Sequence, residues 1–289
     1  MLPSLAILKY EALTLLSSWL VRLWISASAV LTLLFILANW GQMQSPALVA
    51  VILFPYLVFP WFLAVMVLGV EPVSGARVDA LADGILSRPI TRHEYLLGSW
   101  GARVLVVLGA YLAVVVPAVL LVGLAKRDVS GEPITLYGAV AALVVVAIVL
   151  TLQVSLAFLA GTLLRRPLLA MLVLVFLWYP VSTVLHTFSL EEFSPISLNQ
   201  ALPTLLRTPW NESAEEVPRA ADASLEELSE EAARFLAAFG GPAPTPKKRA
   251  FYEQGDYDDF SLLRVVLGYG VPAVLAFGLA MAVFCRRDL

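Results

Sequence analysis

The chain alternates between long stretches without Asp, Glu, Lys or Arg and shorter polar connections. The stretches are Leu23–Trp40, Pro46–Val70, Val104–Ala125, Ile134–Leu164, Pro167–Leu190 and Val265–Cys285. About 20 apolar residues suffice for one helix to cross a bilayer. Each run is close to that length or longer, and the fourth is longer than one crossing needs. Backbone groups in lipid must be satisfied within their own segment, so the runs are expected to be helices. The pattern predicts an all-α integral membrane protein with six transmembrane helices.

The polar stretches predict three further elements. Before the first run, Leu5, Leu8, Ala12, Leu15, Leu16 and Trp19 recur at helical spacing, with Ser4, Glu11, Thr14, Ser18 and Arg22 largely on other faces. This reads as an amphipathic helix lying in the membrane interface; a simple extension of the first span is the alternative. Between the second and third runs, Val78–Ser87 reads as a short helix. Arg88-Pro89 interrupts it, because the residue before proline is driven out of the helical region. Thr91-Arg92-His93-Glu94 then has the spacing of a capping box opening the next helix. The expected product is a helical hairpin, serving as a docking surface or only as a turn. Between the fifth and sixth runs lies a segment of about 70 residues, Glu191–Arg264. Ser224 and Glu227 have capping-box spacing there, and Leu225, Leu228, Ala232, Phe235, Leu236 and Phe239 form an apolar stripe ended by Gly240-Gly241-Pro242. A helical cap on the spans is expected, with a partner site as the alternative. The resulting divisions are 1–190, 191–264 and 265–289.

The basic residues orient these elements. With the N-terminus cytoplasmic, the inner segments carry Lys9, Arg22, Arg77, Arg88, Arg92, Arg103, Arg165, Arg166, Arg286 and Arg287, whereas the short outer loops carry Lys126 and Arg127. The positive-inside rule favours this orientation, with both termini cytoplasmic. Long outer loops translocate largely regardless of charge, so Glu191–Arg264 does not oppose it.

Composition agrees with the pattern. The chain has 289 residues, 60% hydrophobic and 14% charged, with a mean hydropathy of +0.85. A soluble domain of this size could not cover so much apolar surface. The net charge of −3 gives no reason to expect a nucleic-acid partner. The single cysteine, Cys285, cannot form an intrachain disulfide, and the opening residues lack the form of a cleaved signal peptide.

Chemistry-bearing motifs are scarce. None of the four lysines follows a glycine-rich phosphate loop, so ATP binding by a Walker A loop is not expected. The two histidines form no zinc-protease pair. Ser74-Gly75-Ala76-Arg77 with Asp79 and Asp83-Gly84 resembles fragments of the alcohol phosphatidyltransferase signature, but two of that family's four aspartates are missing. Apart from His186 the runs hold no ionisable group that would mark an ion path.

Gly84-Ile85-Leu86-Ser87-Arg88-Pro89-Ile90-Thr91-Arg92-His93-Glu94-Tyr95-Leu96-Leu97-Gly98 resembles the cytoplasmic hallmark of ABC-2 type transporter permeases. Ser99 stands where that family has lysine. Ile7-Leu8-Lys9-Tyr10-Glu11, Ser194-Pro195-Ile196-Ser197 and Phe284-Cys285-Arg286-Arg287-Asp288-Leu289 are similar to other family positions. The resemblance implies a permease subunit of the bacterial inner membrane. It would pair with a second permease copy or homologue and dock a cytoplasmic ABC ATPase, which binds the ATP and magnesium. The docking residues implied are Asp83, Ile85, Leu86, Arg88, Arg92 and Glu94. Tyr56, Trp61, Ser182, Thr183 and His186 are candidates for the translocation path; Trp178 and Tyr179 read better as interfacial anchors. Export is the expected direction. The alternatives are a structural or mechanotransmitting envelope subunit that transports nothing, and a membrane phosphatidyltransferase.

Overall fold

A computed structural model describes residues 3–70, 91–125, 127, 134–164, 166–187, 194–207 and 262–286, with the side chains of Pro3 and of 179–187 excepted. All its regular elements are helices: α1 Pro3–Ser17, α2 Trp19–Asn39, α3 Ser45–Leu57, α4 Trp61–Val70, α5 Arg92–Leu124, α6 Leu136–Leu163, α7 Pro167–Thr187, α8 Pro195–Arg207 and α9 Leu262–Arg286. Five segments are long and apolar enough to cross a membrane: α2, α3 and α4 taken together, α5, α6 and α9. They mark the chain as a multi-pass membrane protein. In α7 the corresponding apolar stretch is Pro167–Trp178.

Local signals set the helix boundaries. Thr91 caps α5 as its spacing predicts: its hydroxyl accepts from the Glu94 N–H, and the Glu94 carboxylate accepts from the Thr91 N–H at 3.0 Å. Thr135 caps α6 by accepting from the Gly138 N–H at 2.9 Å. Ser18 separates α1 from α2 with an extended backbone and accepts from the Val21 N–H. The second apolar run departs from one continuous helix. It breaks at Val58–Pro60, between α3 and α4. Pro60 has no N–H to continue the ladder, and Pro55 has already removed a donor within α3.

The core is built around α6, the most buried of the long helices. Val145, Val146, Val149, Leu150, Val154, Ala157 and Phe158 are inaccessible or nearly so. The contact with α4 relies on small residues. A Cβ on Gly161 would lie 2.7 Å from the Val70 carbonyl oxygen, and the Gly69 Hα side faces Ala157. Small residues let backbones approach where lipid supplies no hydrophobic drive for association. Ala170 and Leu174 of α7 close over Val70, Ala157 and Ala160, while Trp178 stacks on Phe62 with ring centroids 5.2 Å apart. Helix α7 therefore runs antiparallel to α4. At the periphery, α2 and α9 turn Leu33, Leu34, Leu37, Val274, Leu275 and Leu279 outward.

Helix α8 is not anticipated by the run pattern. It is short, yet Leu198, Ala201, Leu202, Leu205 and Leu206 are buried. It abuts the first turn of α6, where a Cβ on Gly138 would lie 2.5 Å from the Leu205 carbonyl oxygen. The predicted helix 224–239 lies outside the described residues, as does the 78–87 helix.

Candidate functional site at the Glu11 and Arg103 end

The residues that flank the 71–90 connection lie at one end of the bundle, Val70 against Gly161 of α6 and Thr91 at the start of α5, whose Arg92 reaches the last turn of α9. Four helices are held together there by polar contacts that an apolar sequence would seldom supply.

Arg103 is the centre. It lies on α5, is 4% exposed, and forms a 2.6 Å ion pair with Glu11 of α1. Its Nε donates to the Leu68 carbonyl at 3.1 Å, and its Nη1 donates to the Ser99 carbonyl at 2.6 Å and the Ser99 hydroxyl at 2.7 Å. The Ser99 hydroxyl donates in turn to Glu11 at 3.0 Å. One guanidinium thus ties together α1, the end of α4 and the start of α5. A buried charge is tolerable only when paired and hydrogen-bonded in this way. Close approach makes the pairing possible. A Cβ on Gly98 would meet the Ser4 carbonyl oxygen at 2.8 Å, and one on Gly101 would meet Leu8 Cδ1 at 3.1 Å.

The start of α5 also reaches α9. Arg92 Nη1 donates to the Cys285 carbonyl at 3.3 Å, and the Cys285 sulfur lies 3.5 Å from His93 Nδ1. A cation on the last carbonyls of a helix opposes the negative end of its dipole. Further along α5, Trp100 Nε1 donates to the Ser155 hydroxyl of α6 at 3.1 Å, and its ring lies 4.5 Å from that of Phe277.

The opposite end uses different means. The Arg127 guanidinium donates to the Trp40 and Met43 carbonyls, the latter at 2.7 Å, and to the Ser45 hydroxyl at 3.2 Å. It also lies 5.0 Å from the centroid of the Trp40 ring, a cation–π distance. It satisfies the Trp40 carbonyl at the C-cap of α2 and the Met43 carbonyl in the turn that follows. The Thr135 N–H donates to the Leu206 carbonyl at 3.0 Å, and Arg207 donates to the Gln44 side chain at 2.8 Å. An apolar groove of about 630 Å³ opens beside them, lined by Leu136, Val140, Ala141, Val144 and Leu262 among others.

The residues singled out in the sequence are distributed unevenly over this framework. Arg92 and Glu94 sit at the Arg103 end, the first holding α9 and the second capping α5. Asp83, Ile85, Leu86 and Arg88 lie outside the described residues. Tyr56 is buried in the core, its ring edge-on to Tyr111 at 5.1 Å. Trp61 opens α4 beyond the helix break and packs partly against the same core. Ser182, Thr183 and His186 belong to α7, and their side chains lie outside the described part of the molecule.

The Glu11–Ser99–Arg103 cluster was missed by pattern reading. An arginine only just before the third apolar run counted there as an orienting charge. Glu11 counted as the polar face of an interfacial helix. The available signal was a carboxylate between Leu8, Ala12 and Leu15, where a soluble face would not be flanked so closely by apolar neighbours.

No protein-family model matches this chain, and no curated protein sequence matches it.

Proposed function

We propose that the chain is the permease subunit of an ATP-driven ABC-2 type transporter, an exporter of the bacterial inner membrane with six spans and both termini in the cytoplasm. The Glu11–Arg103 end is the cytoplasmic end. The 78–87 helix is the coupling helix, and Asp83, Ile85, Leu86, Arg88, Arg92 and Glu94 form the face toward a separate ATPase subunit. That partner binds ATP and magnesium; the permease hydrolyses nothing itself. A second permease copy or homologue completes the translocation path, to which Tyr56, Trp61, Ser182, Thr183 and His186 contribute. The 191–264 segment caps the outer ends of the spans, and an extracytoplasmic partner binding there is the alternative role.

The observation that carries this reading is the anchoring of both ends of the 71–90 connection. Arg103 grips the Leu68 carbonyl just before it, Gly161 packs on the Val70 backbone, and a capping box followed by Arg92 fixes the chain just after it. A connection held this way can pass a push from outside the bilayer into α4, α5 and α6 rather than absorbing it in slack chain. The Gly84–Gly98 motif gives the push a source.

The test is affinity purification of the detergent-solubilised protein from its native membrane, with assay for a co-purifying Walker-type ATPase. Vanadate-sensitive ATP hydrolysis that disappears in the Leu86→Asp/Arg88→Asp variant supports the docking site. Equal recovery of that ATPase with the variant contradicts it.

A further inference from the structure

Helix α1 is apolar on two adjoining sides, and among the described residues one of them packs against the rest of the protein. Leu8, Ala12 and Leu15 turn with Glu11 toward α5, where Ala12 is 6% exposed. Leu5, Leu13 and Leu16 lie on the adjoining side, about a quarter-turn around the helix, and are exposed, as are Tyr10 at 73% and Trp19 at 77%, just past Ser18. Positions 5, 9, 13 and 16 share one side of a helix of 3.6 residues per turn, so Lys9 stands among these leucines.

We infer that this outward face of α1 is a lipid-docking surface selective for anionic headgroups, with Lys9 and Arg22 as the headgroup-binding cations. Three observations carry the assignment. First, α1 passes through Ser18 directly into α2, an apolar helix long enough to cross a membrane, so α1 starts from the bilayer boundary. Second, the large exposed side chains are leucines with a tyrosine and a tryptophan, the composition of a helix sunk partway into the headgroup and acyl boundary. Third, the exposed charge described on this face and on the adjoining first turn of α2 has one sign. Lys9 and Arg22 are both exposed. Glu11, the only carboxylate of α1, is turned away and neutralised by Arg103. Glu94, the remaining carboxylate among the described residues at this end, is engaged by Thr91. An apolar face alone would accept any lipid. Cations beside it that no described carboxylate opposes favour phosphate-bearing headgroups with net negative charge, each by roughly fivefold at a membrane surface.

The assignment rests on the chain being a membrane protein, not on the ATPase partner, and stands or falls separately from it. The test uses the full chain in nanodiscs of equal parts phosphatidylcholine and phosphatidylglycerol. Acyl-chain bromine, a short-range quencher of indole fluorescence, is placed on one lipid or on the other. The difference between the wild type and Trp19→Phe isolates the Trp19 signal. Stronger Trp19 quenching by the brominated anionic lipid is expected. In the Lys9→Gln/Arg22→Gln variant that preference should fall to parity while total quenching is retained. Glu11 is untouched in that variant, and an unchanged unfolding midpoint confirms that α1 stays packed on α5. Equal quenching by both lipids in the wild type overturns the proposal, as does a preference that survives in the variant. Quenching by neither lipid also overturns it, because the face would then be covered by protein.

Discussion

The two ends of the helical bundle solve the same problem with opposite chemistry. At one end a buried arginine meets a carboxylate: Arg103 and Glu11, bridged by Ser99. At the other, the described partners of Arg127 are neutral acceptors, the Trp40 and Met43 carbonyls just after α2 and the Ser45 hydroxyl, with the Trp40 ring alongside. The difference is one of commitment. Arg127 is partly exposed and satisfies groups that water could also satisfy, and its partial burial lowers its pKa only from an arginine value that keeps it charged at any physiological pH. Arg103 is 4% exposed, so neither it nor Glu11 can lose its partner without leaving a charge stranded. The first end behaves as a lock joining three helices, whereas the second tolerates wear.

Breaking the lock should therefore have the largest effect. Removing one partner of a buried ion pair costs about 3–5 kcal/mol. Glu11→Leu is expected to lower the detergent-solubilised unfolding midpoint by more than Gly161→Leu, Thr91→Ala or Arg127→Gln. Glu11→Leu with Arg103→Met should recover most of the loss, because the pair is then replaced rather than broken. If the double variant is no better than the single one, the pair is not the source of the effect.

Next comes the packing behind the lock. Gly161→Leu forces a side chain against the Val70 backbone, and overpacking of this kind costs about 1–3 kcal/mol. Its expected signature is a lowered midpoint together with faster hydrogen exchange at α4. An unchanged α4 would separate the α4–α6 contact from the stability of the connection that follows Val70.

The remaining differences are smaller. Thr91→Ala removes one half of the α5 capping box, worth about 1 kcal/mol. Arg127→Gln removes a charge from the C-terminal end of α2, where a dipole interaction at a surface is worth about 0.3–1 kcal/mol. Thermal unfolding should rank the two in that order. An Arg127→Gln effect as large as that of Glu11→Leu would erase the distinction between the ends.

How much of this was readable in the sequence varies from region to region for physical reasons. Charge-free runs and helix caps are local signals. The apolar parts of α2, α5, α6 and α9 therefore fall where the runs put them, and Thr91 and Glu94 form the box their spacing requires. The break at Val58–Pro60 was within reach, since Pro55 and Pro60 are plain in the sequence, but a proline can bend a helix as well as end one. Helix α8 was hidden by its surroundings. Leu198, Leu202, Leu205 and Leu206 have helical spacing, but they sit at the start of a long acidic segment in which the capping-box and stripe signals fall later, at 224–239. The lock was the least legible feature. Glu11 and Arg103 are 92 positions apart, and periodicity within one helix carries no record of a partner on another. The same holds for the α1 faces, because its apolar residues cover two sides and the pattern alone does not say which side meets protein.

The geometry of the Arg103 end converges on the 71–90 connection, whose two ends are fixed by Arg103, Gly161 and Arg92. Its role is tested most directly by placing a photocrosslinking amino acid at position 86 and irradiating the protein in its native membrane. A docking role for the connection predicts a crosslinked product that contains a Walker-type ATPase, with a yield that falls when Arg88 is changed to Asp. Crosslinks that go only to lipid, or to segments of the same chain, would contradict it.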